Sequence, residues 1–385
     1  MRRLLILILV CAAALAQAPS VKQGTFENQP AVVLSSDKIE LTVTTLGASF
    51  AKLLLRDDSG ALNPLWEPVR MARESGAQAQ FRGSTGHFIC VDGFGPTSAA
   101  ERAAGLPGHG EAHLQPFETR RSGVEGRAAV VALEATLPIV QEKFTRTLRL
   151  VEGENVVYAD SRLENLMGFD RPVNWAEHAT VGSPFLESGA MVVDVSGSRS
   201  MTRPYAEAKP GASQRRLASG KEFTWPLAPG LDGKPVDLRE TPGQPHYLDH
   251  ATTLVDPNLK HGWTTALHTG KHLVVGYLFR REEYPWVQYW GNYPPTGRMS
   301  RGLEFSTQPF DVSRREVLSS PPLFGAPMVR WLPAKSAIET RFLMFYARTP
   351  EGMRKIDSVR LENGKLILED RAAGKTLTLS ASLGL

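Results

Sequence analysis

The segment "GLPGHGEAHLQPFE", residues 105–118, places His109, Glu111 and His113 at alternating positions. Two imidazoles and a carboxylate can hold a metal ion, or they can move protons on a bound substrate. A helical zinc site needs two histidines four apart with a glutamate directly beside one of them. Here the glutamate sits midway, and Pro107, Gly108 and Gly110 oppose a helix. On an extended strand, side chains two apart point the same way, so the three residues could converge. Spacing alone leaves both chemistries open.

The elements that must position such residues read as strands. With 34 glycines and 27 prolines, turns are favoured over long helices. "IELTVTTLGASFAKLLLRD" alternates from Ile39, breaks at Gly47 and resumes through Leu53 to Leu55. "EKFTRTLRLVEGENVVYADSRLEN" alternates, turns at Glu152 to Asn155 and resumes, which is the pattern of a β-hairpin. "GKHLVVGYLFRR" and "IETRFLMFYA" are apolar enough to be strands buried on both faces. Residues 197–245 are rich in Ser, Arg, Lys, Gly and Pro and read as long connections. Residues 24–348 are expected to form one all-β unit of large packed sheets. Residues 349–385 read as a small C-terminal helix-hairpin appendage. Thr349 would cap its helix, Pro350 would open it, and Asn363-Gly364 would turn its hairpin.

The N-terminus "MRRLLILILVCAAALAQAPS" has two arginines, an apolar run from Leu4 to about Ala14, and small residues suited to cleavage after Ala16 or Ala18. Residues 1–16 are thus expected to be a signal peptide, with export to a periplasm or to the outside. The run is short for a membrane span, and Cys11 is poorly placed for lipidation because Val10 precedes it. After cleavage Cys90 is the only cysteine, so no intramolecular disulfide can form. Losing Arg2 and Arg3 lowers the formal charge from +4 to +2, a balance without basic blocks that argues against nucleic acid as a partner. No second apolar run approaches membrane length.

Four stretches, in order, resemble the galactose mutarotase (aldose 1-epimerase) superfamily: "GHGEAHLQPFE", "ENLMGFDRPVNWAEHATVGSPFL", "HYLDHATTL" and "YPWVQYWGNYPPTGRMSRGLEFSTQPF". His109, His178, Asp249 and Glu304 lie in them with gaps of 69, 71 and 55 residues. The resemblance implies a β-supersandwich of large antiparallel sheets and a reaction at the anomeric carbon of a sugar without metal or organic cofactor. It implies Glu304 as general base, His178 as general acid and His109 near the ring oxygen, with Asp249 binding sugar hydroxyls. An arginine is expected upstream of the first histidine, and Arg82 is the nearest candidate, although "FRGSTGHFICVDGFGP" departs from the family pattern. Ala179 and Thr180 replace the aromatic pair expected after His178.

The chemistry can be stated from the reaction itself. Exchanging anomers requires the anomeric hydroxyl to lose a proton while the ring oxygen gains one, and a carboxylate with an imidazolium suits that exchange. On a strand, Trp286, Gln288 and Trp290 share one face, opposite Val287 and Tyr289. Tryptophan rings suit the C–H faces of a sugar, and Gln288 suits its hydroxyls. Two alternatives remain at this level: a non-catalytic carbohydrate-binding sandwich that keeps the aromatic face, and a metal-dependent isomerase built on His109, Glu111 and His113. The partner expected is a small carbohydrate.

Overall fold

The computed structural model describes residues 18–57, 60, 62–205, 214–243, 247–294 and 297–385. The expected signal segment lies outside the described residues. Two antiparallel sheets, of 12 and eight strands, pack face to face, matching the large sheets expected from the sequence. The first described strand, Ser20–Phe26, begins ahead of residue 24. The hairpin expected near 142–165 forms from Glu142–Val151 and Val156–Asn165. The apolar segments Leu273–Arg280 and Ala337–Arg348 pair in the middle of the smaller sheet. Within 197–245, short strands at Arg199–Thr202, Glu222–Thr224, Leu227–Pro229 and Pro235–Asp237 interrupt the expected connections.

The core lies between the sheets. Leu41, Trp175, Val287 and Phe305 come from the larger one, and Phe144, Leu148, Val275 and Phe342 from the smaller. A second apolar layer covers the outer face of the smaller sheet, where Trp263, Leu278 and Phe345 meet Met353, Ile356, Leu366 and Leu368 of the C-terminal segment.

That segment departs from the expected helix-hairpin. Thr349 and Pro350 open no helix, and the chain instead forms three strands, Ser358–Glu362, Lys365–Asp370 and Lys375–Ser380. The reason is visible in the hydrogen bonds. Asp370 accepts the backbone N–H groups of Arg354 and Lys355, and Asp194 accepts that of Ile356 at 2.8 Å, so carboxylates hold the donors that a helix would use internally. The Asn363-Gly364 turn does form, with φ of 48° and 69°, as a tight hairpin turn requires.

Residues 105–118 also differ from the extended reading. Gly110 makes an isolated bridge to Val91, a Cβ there would meet the Val91 carbonyl oxygen at 2.4 Å, and Ala112–Leu114 closes into one 3₁₀ turn. Alternating positions therefore do not share a face. Glu111 turns away and accepts the backbone N–H groups of Ile139 and Val140 at 2.8 and 2.9 Å. His113 is buried against Phe88.

One polar group joins the two sheets. Glu177, fully buried on the strand Trp175–Gly182, accepts from Arg146 of the smaller sheet at 2.5 Å and from His87 at 2.7 Å. Trp175 Nε1 and Tyr284 Oη also donate to it, at 3.0 and 3.2 Å. Burial pushes the Glu177 carboxyl up, but Arg146 and His87 outweigh it and hold the group below its ordinary range. Burial holds His87 below its own ordinary value, so it donates as a neutral ring through Nε2.

Two stability predictions follow from this packing. Arg146→Met leaves the Glu177 charge buried without its main partner, and should cost about 3–5 kcal/mol in urea unfolding. The second concerns pH. Burial lowers His113 from 6.5 to about 4, so the unfolded chain takes up its proton first as the pH falls. Stability should decline between about pH 6.5 and pH 4 and then level off for this group. Its share is about 3 kcal/mol at about 1.4 kcal/mol per pH unit. In His113→Gln the unfolding free energy measured at pH 7 and at pH 4 should differ by about that much less than in the wild type.

Candidate active site

A strand's side chains alternate between faces, and this rule sorts the candidate residues. On Trp175–Gly182, Trp175, Ala179 and Val181 enter the core, while His178 points to the outer face of the larger sheet. On the short strand Glu304–Ser306, Phe305 enters the core and Glu304 faces outward. On Trp286–Tyr293, Val287 and Tyr289 enter the core, with Gln288 and Trp290 on the other face. On Tyr247–Leu254, Ala251 enters the core and His250 faces outward.

The outward residues meet in a cavity of about 250 Å³ lined by Trp66, Ser84, Phe88, His109, His178, His250, Trp290, Glu304 and Asp311. At the density of liquid water it has room for about eight molecules. Clefts of about 630 and 750 Å³ lie elsewhere, against the C-terminal sheet and beside Phe169, and neither is lined by a histidine.

Of the residues singled out in the sequence, His109, His178, Glu304 and Trp290 line this cavity. His178 stacks on Phe88, with ring centroids 4.2 Å apart, and its Nδ1 lies 3.0 Å from Thr180 Oγ1. Its Nε2 is 3.6 Å from Glu304 Oε1. His109 enters from the loop with φ of 64°, its ring 5.2 Å from that of His178. The Gly95 N–H donates to His109 Nδ1 at 3.3 Å, so in the neutral ring Nε2 carries the hydrogen. Gly302 fits beside the carboxylate because a Cβ there would stand 2.3 Å from Glu304 Oε1.

The remaining candidates are placed otherwise. Asp249 lies on the inner side of its strand, where its carboxylate takes the backbone N–H and the Nε of Arg216 at 2.8 and 2.6 Å. It is 1 % exposed and does not line the cavity. Arg82 is exposed, and its segment contributes Ser84 to the lining instead. Trp286 is covered by the 323–327 segment, donating to the Pro327 carbonyl at 2.8 Å. Gln288 is buried and serves other side chains: it accepts from His250 at 2.8 Å and donates to Ser306 and the Gln308 carbonyl. Glu111 and His113 stay outside the lining, and among the described residues no group of three or more His, Cys, Asp or Glu is arranged to hold a metal ion.

Sequence reasoning passed over Trp66, Phe88, His250 and Asp311. His250 was reachable in principle, since alternation excludes it and Asp249 from the same face. With Thr252 and Thr253 following, however, neither face of "HYLDHATTL" is plainly the polar one. Asp311 follows the Glu304–Ser306 strand in a loop, where no periodicity marks it.

Burial dominates the electrostatics. It pushes the Glu304 carboxyl well above its ordinary range, with Asp311 adding to the effect. It pushes His178 well below its ordinary value, with His109 adding to it. His109 is lowered too, against the pull of Asp311. Both shifts favour the neutral pair, with the proton on Glu304 rather than on His178. The sequence reading assigned the charged pair, which differs by one proton moved between the same two atoms. Either form offers one proton donor and one acceptor to a ligand.

No protein-family model matches the chain, and no curated protein matches it in sequence. Solved structures do match in fold. A galactose mutarotase-like protein from Clostridium acetobutylicum aligns over 86% of this chain and 99% of its own, with TM-score 0.56 and 13% identity. A galactose mutarotase related enzyme from Lactobacillus acidophilus aligns over 86% and 100%, with TM-score 0.54 and 13% identity. A candidate aldose 1-epimerase from Klebsiella pneumoniae aligns over 85% and 83%, with TM-score 0.59 and 13% identity. The fold of this chain is the galactose mutarotase-like β-sandwich.

Proposed function

We propose that the protein is an exported enzyme of the aldose 1-epimerase kind, exchanging the anomers of a sugar by general acid/base ring opening and closing. The observation that supports this most is the meeting of His109, His178 and Glu304, from three distant segments, in one cavity on a mutarotase-like fold. The cavity is on the scale of one sugar ring, and Trp66, Phe88 and Trp290 supply apolar walls for its C–H faces.

The anomeric hydroxyl and the ring oxygen are bonded to the same carbon, so the groups that serve them must be neighbours. Glu304 and His178, 3.6 Å apart, meet that demand. In the proposed cycle a hydroxyl of the entering sugar donates to Glu304 and favours its carboxylate, and the pair's single proton passes to His178. Glu304 then takes the anomeric hydroxyl's proton while His178 protonates the ring oxygen, and the C1–O5 bond breaks to leave the open-chain aldehyde. Rotation about C1–C2 presents the other face of the carbonyl, and the reverse transfers close the ring. His109, with its hydrogen on Nε2, assists at the ring oxygen. A non-catalytic sugar-binding role would leave the contact between Glu304 and His178 without a purpose.

Polarimetry of freshly dissolved α-D-glucose and α-D-galactose, after chelator treatment, tests the reading. The wild type should accelerate the approach to equilibrium, and Glu304→Gln should lower that acceleration by at least about a hundredfold. Acceleration that survives unchanged in the variant would remove Glu304 from the chemistry.

A further inference from the structure

The cavity contains a second carboxylate that the proposed proton transfers do not use. Asp311 lines it opposite no arginine or lysine of the described lining, and its side chain keeps 21% of its exposure. Three contacts fix it from behind. His250 Nδ1 is 2.7 Å from Asp311 Oδ1, Arg203 Nη1 is 3.0 Å from the same oxygen, and Arg203 Nη2 donates to the Asp311 backbone carbonyl at 2.7 Å. Gly95 packs on the same backbone so closely that a Cβ would stand 2.2 Å from the Asp311 carbonyl oxygen.

His250 is itself held. Its Nε2 faces the Gln288 Oε1 at 2.8 Å, and Gln288 is oriented by the two bonds that its Nε2 donates to Ser306 and Gln308. The amide oxygen can only accept, so His250 donates to it through Nε2, and the carboxylate, which also only accepts, needs a second hydrogen on the Nδ1 that faces it. Burial pushes Asp311 up, but His250 and Arg203 outweigh it and hold the carboxyl below its usual range. The result is an anion with a fixed position in a small cavity, aimed at whatever occupies it.

We infer that Asp311 is the group that binds the sugar's hydroxyls, in the place the sequence suggested for Asp249, and that His250 is its positioning residue. This rests on the sugar-directed reading above and adds to it the source of selectivity. A carboxylate accepts from one or two adjacent hydroxyls, so the site is selective for a sugar with a hydroxyl at the contacted carbon. It discriminates against the analogue lacking it, because an unpaired buried acceptor is then left behind.

The test uses the full chain and a panel of D-glucose, D-galactose and their singly deoxygenated derivatives, with affinity read by calorimetry and KM and kcat by polarimetry. In the wild type, one deoxygenated position should weaken binding about tenfold to a hundredfold relative to the parent sugar. In Asp311→Asn, the parent should weaken to that same level while its deoxygenated derivative hardly changes, and kcat should fall less than KM rises. His250→Gln should move the panel in the same direction with KM raised and kcat kept within a few fold. This variant decides the matter if Asp311→Asn does not fold. A wild-type pattern of discrimination retained in both variants overturns the inference, as does a uniform loss across the panel. If the wild type accelerates mutarotation but Asp311→Asn discriminates as before, only this inference fails. If the wild type neither binds nor converts any sugar of the panel, the functional reading fails with it.

Discussion

Glu177 and His178 are consecutive residues with opposite duties, and the pleat of one strand keeps them apart. Glu177 turns inward to accept from Arg146, His87, Trp175 and Tyr284 between the sheets. His178 turns outward to Glu304. The inward carboxylate fixes the strand in register and depth against the smaller sheet, and so fixes where the outward imidazole stands. A slip of one residue would exchange the two, placing an imidazole in the ion-pair network and a carboxylate against Phe88. The chemistry of the cavity depends on that register.

The same alternation extends across five neighbouring strands of the larger sheet. Cross-strand partners place His178 beside Phe88, Gln288 beside Glu304 and His250 beside Trp290, so one outer face collects the polar groups while the other face collects Trp175, Val287, Tyr289 and Phe305. Loops then complete the site from above, with His109 entering on a left-handed residue and Asp311 held by Arg203. Burial supplies the electrostatics. Charge is disfavoured on Glu304, His178 and His109, while Arg203 and His250 behind Asp311 hold its carboxyl below the usual range.

The sequence was informative where a local rule applies at both the sequence and the structural level. Alternation at 142–165 marked a hairpin because both strands bury one face. Asn363-Gly364 marked a tight turn because both residues must adopt positive φ. The helix expected after Thr349 failed because the carboxylates of Asp370 and Asp194, distant in sequence, take the backbone donors. The extended reading of 105–118 failed because a contact with Val91 and a 3₁₀ turn intervene.

By itself the sequence determined that the chain is built of strands, and it named His109, His178, Glu304 and Trp290, because their types and order are linear properties. Only the tertiary structure decided which carboxylate faces the cavity. Asp249 and His250 are adjacent, and which of them turns outward depends on the register of the Tyr247–Leu254 strand against Trp286–Tyr293, set by packing across the whole sheet. Asp311 belongs to the cavity because Gly95, Arg203 and His250, each far from it in sequence, converge on one loop. Periodicity reports on faces within a segment, and it does not say which segments meet.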